Sequence, residues 1–197
     1  MNISRKTNVL VKASLLIALS FILSYFEFPI LPAFPWLKID LAAVPLLLTG
    51  FAFGPVVGLV AVGFKELLAL FIKSTTGGVG ELANFLIVGS YVVTASVIYL
   101  KGKNLKSAIL GTVVGSVVLT AVAIASNIYI LIPLFFPQGM EAAFFKSYVT
   151  FGLPVFNLVK GAAISVTGIA LFSKVSFLIH KESGFNRENL TTRNHSA

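Results

Sequence analysis

The stretch that decides the fold is Leu41 to Phe64, LAAVPLLLTGFAFGPVVGLVAVGF, which contains no charged residue. A helix needs about 20 residues to cross roughly 30 Å of hydrocarbon, so the stretch is long enough for one membrane span. Gly54-Pro55 lies in its middle, where proline lacks a helix donor and glycine lacks stiffness. The stretch therefore predicts either one kinked span or two short ones, and the span count of the whole chain depends on which is right.

The composition of the whole chain explains why a membrane is expected. Of its 197 residues, 57% are hydrophobic and only 11% are charged, and the mean hydropathy is +0.95. A soluble domain carries about 25% charged residues, so this chain has too little polar surface to cover a water-facing globule. The same figures exclude a disordered chain, and the lack of cysteine excludes disulfide scaffolds, thiolate metal sites and cysteine nucleophiles.

Further uncharged runs lie on both sides of this stretch and are separated by few ionisable residues. They are Ala13 to Phe26, Leu82 to Leu100, Ser107 to Met140, Ser147 to Val159 and Gly161 to Ser173. With a break at Gly54-Pro55, the pattern predicts helices at about 9–27, 40–53, 56–72, 81–100, 107–131 and 149–176. The short second helix is expected to be either thinly embedded in the membrane or shielded by its neighbours.

The distribution of lysine and arginine decides between one span and two in the region 41–72. With six spans and a cytoplasmic N-terminus, ten of these residues fall on the cytoplasmic side and three, Lys38, Lys73 and Lys146, fall outside. A single span gives at best eight against five, which fits the positive-inside rule less well. We therefore predict an all-α integral membrane protein with six transmembrane helices and both termini cytoplasmic. The net charge of +8 is assigned to this topology rather than to nucleic-acid binding.

The domain organisation follows from the same pattern. Residues 1–180 are expected to form one six-helix membrane domain that includes the first span as a retained helix rather than a cleaved signal. Residues 181–197 are polar and without periodicity, so we expect a disordered cytoplasmic tail.

Lys160 is the most informative polar residue, because an ionisable side chain inside a span costs roughly 2.5 to 3.5 kcal/mol and must face a cavity or a partner. Asn157 lies three residues earlier and shares its helix face. Together they offer donors and an acceptor for the edge of a heterocycle or for sugar hydroxyls. The alternative is a structural lysine paired with Asp40, Glu66 or Glu81, and we favour contact with a ligand.

Three further polar residues leave two interpretations open. Asn127, near the outer end of the fifth span, could contact a ligand or make an interhelical hydrogen bond. Glu81 and Asn84 open the fourth span, where an acidic residue is favoured by the helix dipole, so a capping role for Glu81 is as plausible as contact with a ligand.

Catalytic chemistry is not expected. The glycine-rich loop Gly77-Gly78-Val79-Gly80 lacks the Gly-Lys-Ser/Thr ending of a P-loop and follows no strand, so the chain should have no ATPase of its own. The histidines, His180 and His195, lie at or beyond the final span, and no set of metal ligands is evident. We predict that the protein is not an enzyme and binds no metal.

Two predicted outer loops are rich in aromatic residues and proline, Phe28 to Trp36 and Ile132 to Pro137. They could be interfacial anchors, or stiffened lids over a planar ligand. Small residues also recur at four-residue spacing, as at Ser14 and Ala18, and such rows let helices approach closely within the bundle or against a partner protein.

Several segments resemble the riboflavin-specific substrate-binding component (RibU type) of energy-coupling factor (ECF) vitamin transporters. They are Leu37-Lys38-Ile39-Asp40 with Val44-Pro45, Phe53-Gly54-Pro55, Thr76 to Asn84, and Phe151 to Gly161, which reads FGLPVFNLVKG. They occur in family order and cover most of the chain apart from the tail. The last segment is the most specific, because it matches the family's Phe-Asn-Leu-Ile/Val-Lys-Gly throughout.

The resemblance implies a six-helix bundle in a prokaryotic plasma membrane that captures riboflavin from outside, with the loop between the first two helices closing over it. Asn157 and Lys160 would hydrogen-bond the flavin, Asn127 would contact its polar edge, and Lys38 and Asp40 would belong to the lid. Ser14 and Ala18 would dock on a transmembrane coupling subunit energised by two ATPases, although the family normally has alanine at both positions. Riboflavin would be a transported ligand, with no cofactor.

The chain also departs from the family pattern. Leu41-Ala42-Ala43 replaces the usual Phe-Ser-Asp, and Val62 and Glu66 flank Lys65 where the family has glutamate and asparagine. Discrimination between riboflavin and riboflavin phosphate is therefore open. A sister component for another vitamin and a structural membrane protein without a ligand are the alternatives.

Overall fold

The computed structural model describes residues 3–181, with side chains described for 6–172. Over this range the chain is helical apart from short connections and one small hairpin. The elements are α1 (Ile3–Leu23), β1 (Phe28–Pro29), β2 (Lys38–Ile39), α2 (Ala43–Phe53), α3 (Pro55–Lys73), α4 (Val79–Gly102), α5 (Leu105–Ser126), the π-helical turn π1 (Asn127–Leu131), α6 (Ile132–Phe135), α7 (Ala142–Ser147), the π-helical turn π2 (Tyr148–Gly152) and α8 (Leu153–Lys181). Of the polar tail expected at 181–197, Lys181 is the last residue of α8, and residues 182–197 lie outside the described residues.

These elements form six helical rods in the described part of the chain, because π1 joins α5 to α6 and π2 joins α7 to α8. Five of the rods contain segments that are long and apolar enough to cross a membrane: Lys6–Leu23, Pro55–Lys73, Val79–Gly102, Leu105–Phe135 and Ala142–Phe172. The remaining rod, α2, has 11 residues. The described part of the chain is therefore mostly helical, with helix lengths and apolar composition typical of a multi-pass membrane protein.

Each predicted helix has a counterpart, but several ends differ. The second helix begins at Ala43 instead of 40, because Asp40 Oδ1 accepts the Ala42 amide over 2.7 Å and holds a turn there. The fifth rod continues past Pro133, which follows π1 and occupies the first turn of α6, where proline is tolerated. The last rod begins at Ala142, seven residues earlier than predicted.

The region 41–72 forms two helices, and Gly54 separates them with a positive φ of 98°. Residues eight apart in one continuous helix lie about 12 Å apart along the axis. Here a Cβ on Gly58 would lie 2.8 Å from the Cα of Gly50, so the two backbones touch. The helices therefore fold back on each other, and the two-helix prediction is confirmed over the single kinked helix.

The short helix α2 lies in the centre of the bundle. Every residue from Ala43 to Phe51 is buried, and Leu47 of this helix lies in one core cluster with Tyr91 of α4 and Ile164 of α8. A helix that is apolar on all sides is typical of such a buried position. Neighbouring helices therefore shield α2, which is one of the two possibilities that its length left open.

Small residues set the close approach of the longer helices. A Cβ on Gly111 would lie 2.6 Å from the Ala95 carbonyl oxygen, and one on Gly115 would lie 3.0 Å from the Tyr91 ring. These glycines therefore serve packing between α4 and α5. Ser14 and Ala18 differ, because both are exposed on α1.

The connection between α1 and α2 folds over the end of the bundle. It contains the hairpin of β1 and β2, in which Phe28 pairs with Ile39 and Pro29 with Lys38. Phe34, at its centre, is only 2% exposed, and a Cβ on Gly152 would lie 2.5 Å from its ring. The absence of a side chain at Gly152 thus makes room for the ring that anchors this connection.

Candidate functional site

A cavity of about 480 Å³ lies beneath the α1–α2 connection, which is within the range of small-molecule sites, about 300 to 1,000 Å³. Its wall is mainly apolar and aromatic, with a few polar side chains, as is usual for a site that binds a planar organic ligand. The polar and amphipathic residues of the wall are Trp36, Lys38, Thr76, Asn84, Asn127, Tyr148, Asn157 and Lys160.

Helix α8 supplies the polar patch formed by Asn157 and Lys160, which are 4% and 7% exposed. Asn157 Nδ2 donates to the Leu153 carbonyl over 2.9 Å, which leaves Oδ1 as its acceptor. Lys160 Nζ lies 3.9 Å from Asp40 Oδ2, an ion pair too long for a hydrogen bond. The ammonium therefore has a counter-charge nearby and still has donors for a ligand.

Asn127 and Tyr148 connect the two π-helical turns at the cavity. Asn127 Nδ2 donates to the Ala123 carbonyl over 2.8 Å, and its Oδ1 accepts from the Tyr148 hydroxyl over 2.7 Å. The same hydroxyl accepts from Trp36 Nε1 over 3.1 Å. Hydrogen bonds thus link Trp36, in the α1–α2 connection, to Tyr148 in the last rod and, through it, to Asn127 in the fifth rod.

Aromatic rings surround these hydrogen-bonded residues. The Trp36 ring centroid lies 5.8 Å from that of Tyr148 and 6.5 Å from that of Phe136, and Phe34 lies 5.1 Å from Tyr148. Rings at these separations and tilts pack favourably and form a rigid apolar surface. Trp36, Phe136 and Tyr148 all line the cavity.

Helices α3 and α4 supply a second polar group. Lys65 and Glu66 are buried and form an ion pair of 3.0 Å, and Glu66 Oε1 also accepts from Asn84 Nδ2 over 2.5 Å. Asn84 lines the cavity. Lys65 and Glu66 lie behind it and are not part of the wall.

Glu81 makes contacts at the start of α4 of the kind that the structural interpretation of the sequence expects. Its Oε2 accepts from the Thr76 hydroxyl over 2.9 Å, and Thr76 Oγ1 accepts from the Gly80 amide over 3.0 Å. These contacts close the first turn of α4, and Gly77 and Gly78 provide the positive φ values of 62° and 95° that the turn requires. The glycine-rich loop thus forms the start of α4.

The structure brings together most of the residues that the sequence indicated. Five of them line the cavity, Lys38, Asn84, Asn127, Asn157 and Lys160, whereas Asp40 lies beside Lys160 and Glu81 lies outside the wall. Lys38 also pairs with Glu27 over 3.0 Å on the exposed side. In the part of the chain with described side chains, no group of three or more His, Cys, Asp or Glu residues could hold a metal ion.

Sequence reasoning did not single out Tyr148 or Phe156, both of which line the cavity. A tyrosine in a membrane helix needs a partner for its hydroxyl, and that requirement was the available signal for Tyr148. Phe156 begins the matched Phe-Asn-Leu-Val-Lys-Gly segment, but no role was assigned to it, because the position of a phenylalanine in a span does not by itself distinguish a cavity wall from a core or lipid-facing site.

Known proteins resemble this chain over most of its length. The pattern of the family "ECF transporter, substrate-specific component" matches residues 8–172. The riboflavin transporter RibU of Staphylococcus aureus is 35% identical over 184 residues, 89% of this chain and 97% of that protein. The riboflavin transporter FmnP of Bacillus subtilis is 26% identical over 90% of this chain and 96% of its own length.

A solved structure agrees with these sequence comparisons. It is described as the S component of a bacterial ECF transporter, and it superposes with a TM-score of 0.77 at 32% identity. The match covers 88% of this chain and 98% of that one. Family and structure identify a transport component and not an enzyme. This chain therefore belongs to the substrate-specific component family of ECF transporters.

Proposed function

We propose that this protein is the riboflavin-binding subunit of an ECF-type vitamin uptake transporter. It captures riboflavin from outside the cell and releases it inside when coupled to a transmembrane subunit and two ATPases. The names of the similar proteins from Staphylococcus aureus and Bacillus subtilis support riboflavin as the ligand. The observation that carries the proposal is the aromatic cavity with Asn157 and Lys160 on one wall.

The chemistry of that wall suits a flavin. The imide edge of an isoalloxazine presents a carbonyl, an N–H and a second carbonyl in a row, so it needs donors flanking an acceptor. Lys160 supplies ammonium donors, and Asn157 Oδ1 is the acceptor left by its bond to Leu153. Asn127, Trp36 and Phe136 also line the cavity; Asn127 would contact the polar edge of the flavin, and the two rings would offer the apolar faces that a planar ring requires.

The α1–α2 connection would act as the lid over the bound flavin. Lys38 lies in the cavity wall, and Asp40 lies beside Lys160 at the base of the connection. Lys38 is an exposed cation at that wall, so it is the residue through which riboflavin phosphate would also be accepted. The Glu27 carboxylate, which pairs with Lys38, would repel the phosphate group of riboflavin phosphate.

The topology that fits this role has six transmembrane helices, with both termini in the cytoplasm of a prokaryote and the cavity open to the outside. The lysine and arginine distribution of ten against three supports it, as does the separation of α2 from α3 at Gly54. Residues 1–180 would form the membrane domain in the plasma membrane, and 181–197 a cytoplasmic tail.

The exposed face of α1 is the proposed contact with the coupling subunit. Ser14 and Ala18 are both exposed and one helical turn apart. Small residues at this spacing let a second helix approach closely in lipid. The neighbouring Leu15 and Leu19 are 65% and 46% exposed, so they would contribute apolar contact area.

The proposal is tested by the absorption spectrum of the detergent-purified protein, with extraction and chromatography of whatever ligand it carries. A flavin spectrum, with riboflavin as the extracted compound, supports the proposal. A different vitamin in the extract would contradict riboflavin as the ligand and point to a sister component of the same family.

A further inference from the structure

Three polar side chains form a chain from the interior of α3 to the cavity wall. Lys65 and Glu66 are 4% and 6% exposed and lie 3.0 Å apart as an ion pair. Glu66 Oε1 also accepts from Asn84 Nδ2 over 2.5 Å. Two charges in the membrane interior are costly even when paired. The placement of the Lys65–Glu66 pair directly behind Asn84 therefore suggests that the pair acts on Asn84.

The Glu66 carboxylate fixes which end of the Asn84 amide faces it. A carboxylate paired with an ammonium offers only acceptors, so the atom of Asn84 that meets it must be the NH2 group. The Asn84 carbonyl oxygen, Oδ1, is then the polar atom left for other partners. Among the described residues, it accepts no hydrogen bond, although Asn84 lines the cavity.

We propose that Glu66, held by Lys65, is a positioning residue that orients Asn84 as a hydrogen-bond acceptor for a hydroxyl of the ribityl chain. This inference rests on the proposed function. The isoalloxazine edge is already matched by Asn157 and Lys160 on α8, so a polar group on α4 remains for the other polar part of the ligand. Each ribityl hydroxyl can donate to a carbonyl oxygen, whereas a flipped amide would present donors instead.

The experiment measures the affinities of riboflavin and lumiflavin for the purified full chain. Lumiflavin has the same ring system with a methyl group in place of the ribityl chain. Asn84→Ala should weaken riboflavin binding about tenfold, the effect of one hydrogen bond, and leave lumiflavin binding unchanged. Glu66→Gln should weaken riboflavin alone by about threefold to tenfold, because a glutamine no longer dictates the amide orientation of Asn84.

A combined variant separates positioning from a merely structural role. If Glu66 acts through Asn84, Glu66→Gln in the Asn84→Ala background should cause no further loss of riboflavin affinity. If Glu66→Gln leaves a buried lysine that prevents folding, Lys65→Met/Glu66→Gln removes both charges and is measured in the same way. Thermal unfolding in detergent shows which variants fold.

Three results would overturn the inference. They are equal loss of both ligands in the Asn84 or Glu66 variants, additive losses in the combined variant, and equal affinity of riboflavin and lumiflavin for the unmodified protein. A protein that binds neither flavin would instead overturn the proposed function, and this inference with it. Binding of riboflavin by the unmodified protein therefore distinguishes failure of this inference from failure of the proposed function.

Discussion

The Tyr148 hydroxyl donates to Asn127 Oδ1 over 2.7 Å, and each residue is the first of a π-helical turn. A π-helical turn inserts an extra residue into the helix repeat, and such turns are frequent at functional sites. The two turns lie in different rods, so this hydrogen bond joins the irregular parts of both at the cavity. Trp36 extends the connection to the α1–α2 segment.

Removal of the Tyr148 hydroxyl should therefore destabilise the fold around the cavity. Tyr148→Phe leaves Asn127 Oδ1 without its donor and Trp36 Nε1 without its acceptor. We expect a loss of about 1 to 3 kcal/mol in the free energy of unfolding, measured by thermal or denaturant unfolding in detergent. Tyr129→Phe is the matched control, because Tyr129 lies in π1 but is 79% exposed. A similar loss in both variants would contradict the role given to the Tyr148 hydroxyl.

Lys160 should contribute directly to ligand affinity. Lys160→Met keeps the length of the side chain but removes its ammonium, so riboflavin binding should weaken by roughly 1.5 to 3 kcal/mol, the range for a hydrogen bond to a charged group. Isothermal titration or fluorescence titration measures the change. Lys146→Met, an exposed lysine at the start of the same rod, is the control. Unchanged affinity in Lys160→Met would remove Lys160 from the site.

The α1 face should affect transport and not binding. Ala18→Leu places a bulky side chain where a partner helix would approach, so uptake by the assembled transporter should be abolished while riboflavin affinity stays the same. Ala121→Leu is the control, because Ala121 is an exposed alanine on α5. Loss of binding in Ala18→Leu, or equal loss of transport in the control, would contradict docking through this face.

The proposed topology is tested by labelling single cysteines, for which the chain offers no native background because it contains no cysteine. Lys106, in the first turn of α5 beside its connection to α4, should react as Lys106→Cys with an impermeant reagent only from the cytoplasm. Thr75→Cys, between α3 and α4, should react from outside. Labelling of Lys106→Cys from outside would refute the six-span arrangement.

Much of the fold was predictable because its determinants are local in sequence. Apolar run length predicted the rods, and Gly54-Pro55 predicted the break that separates α2 from α3. The rods that contain π1 and π2 were predicted less well. A π-helical turn depends on tertiary contacts, such as the bond from Tyr148 to Asn127, and has no periodicity of its own.

The site was predictable where burial of a polar group is costly. Asn157 and Lys160 were indicated by their depth. Asn127, near the outer end of a span, was left between contact with a ligand and an interhelical hydrogen bond, and all three residues line the cavity. The Asp40 partner of Lys160 was one of three candidates, and only the three-dimensional structure distinguishes it from Glu66 and Glu81. Glu66 pairs with its sequence neighbour Lys65 instead, and an apolar wall residue such as Leu131 carries no sequence signal of its own.

The central claim is that the cavity binds riboflavin, and the most direct measurement is titration of the ligand-stripped, detergent-purified protein with riboflavin while the flavin fluorescence is recorded. The aromatic wall formed by Trp36, Phe136 and Tyr148 should stack on the ring system and quench its fluorescence. The account predicts saturable quenching with one riboflavin bound per protein chain. Fluorescence that stays proportional to the riboflavin added, with no saturable component, would contradict it.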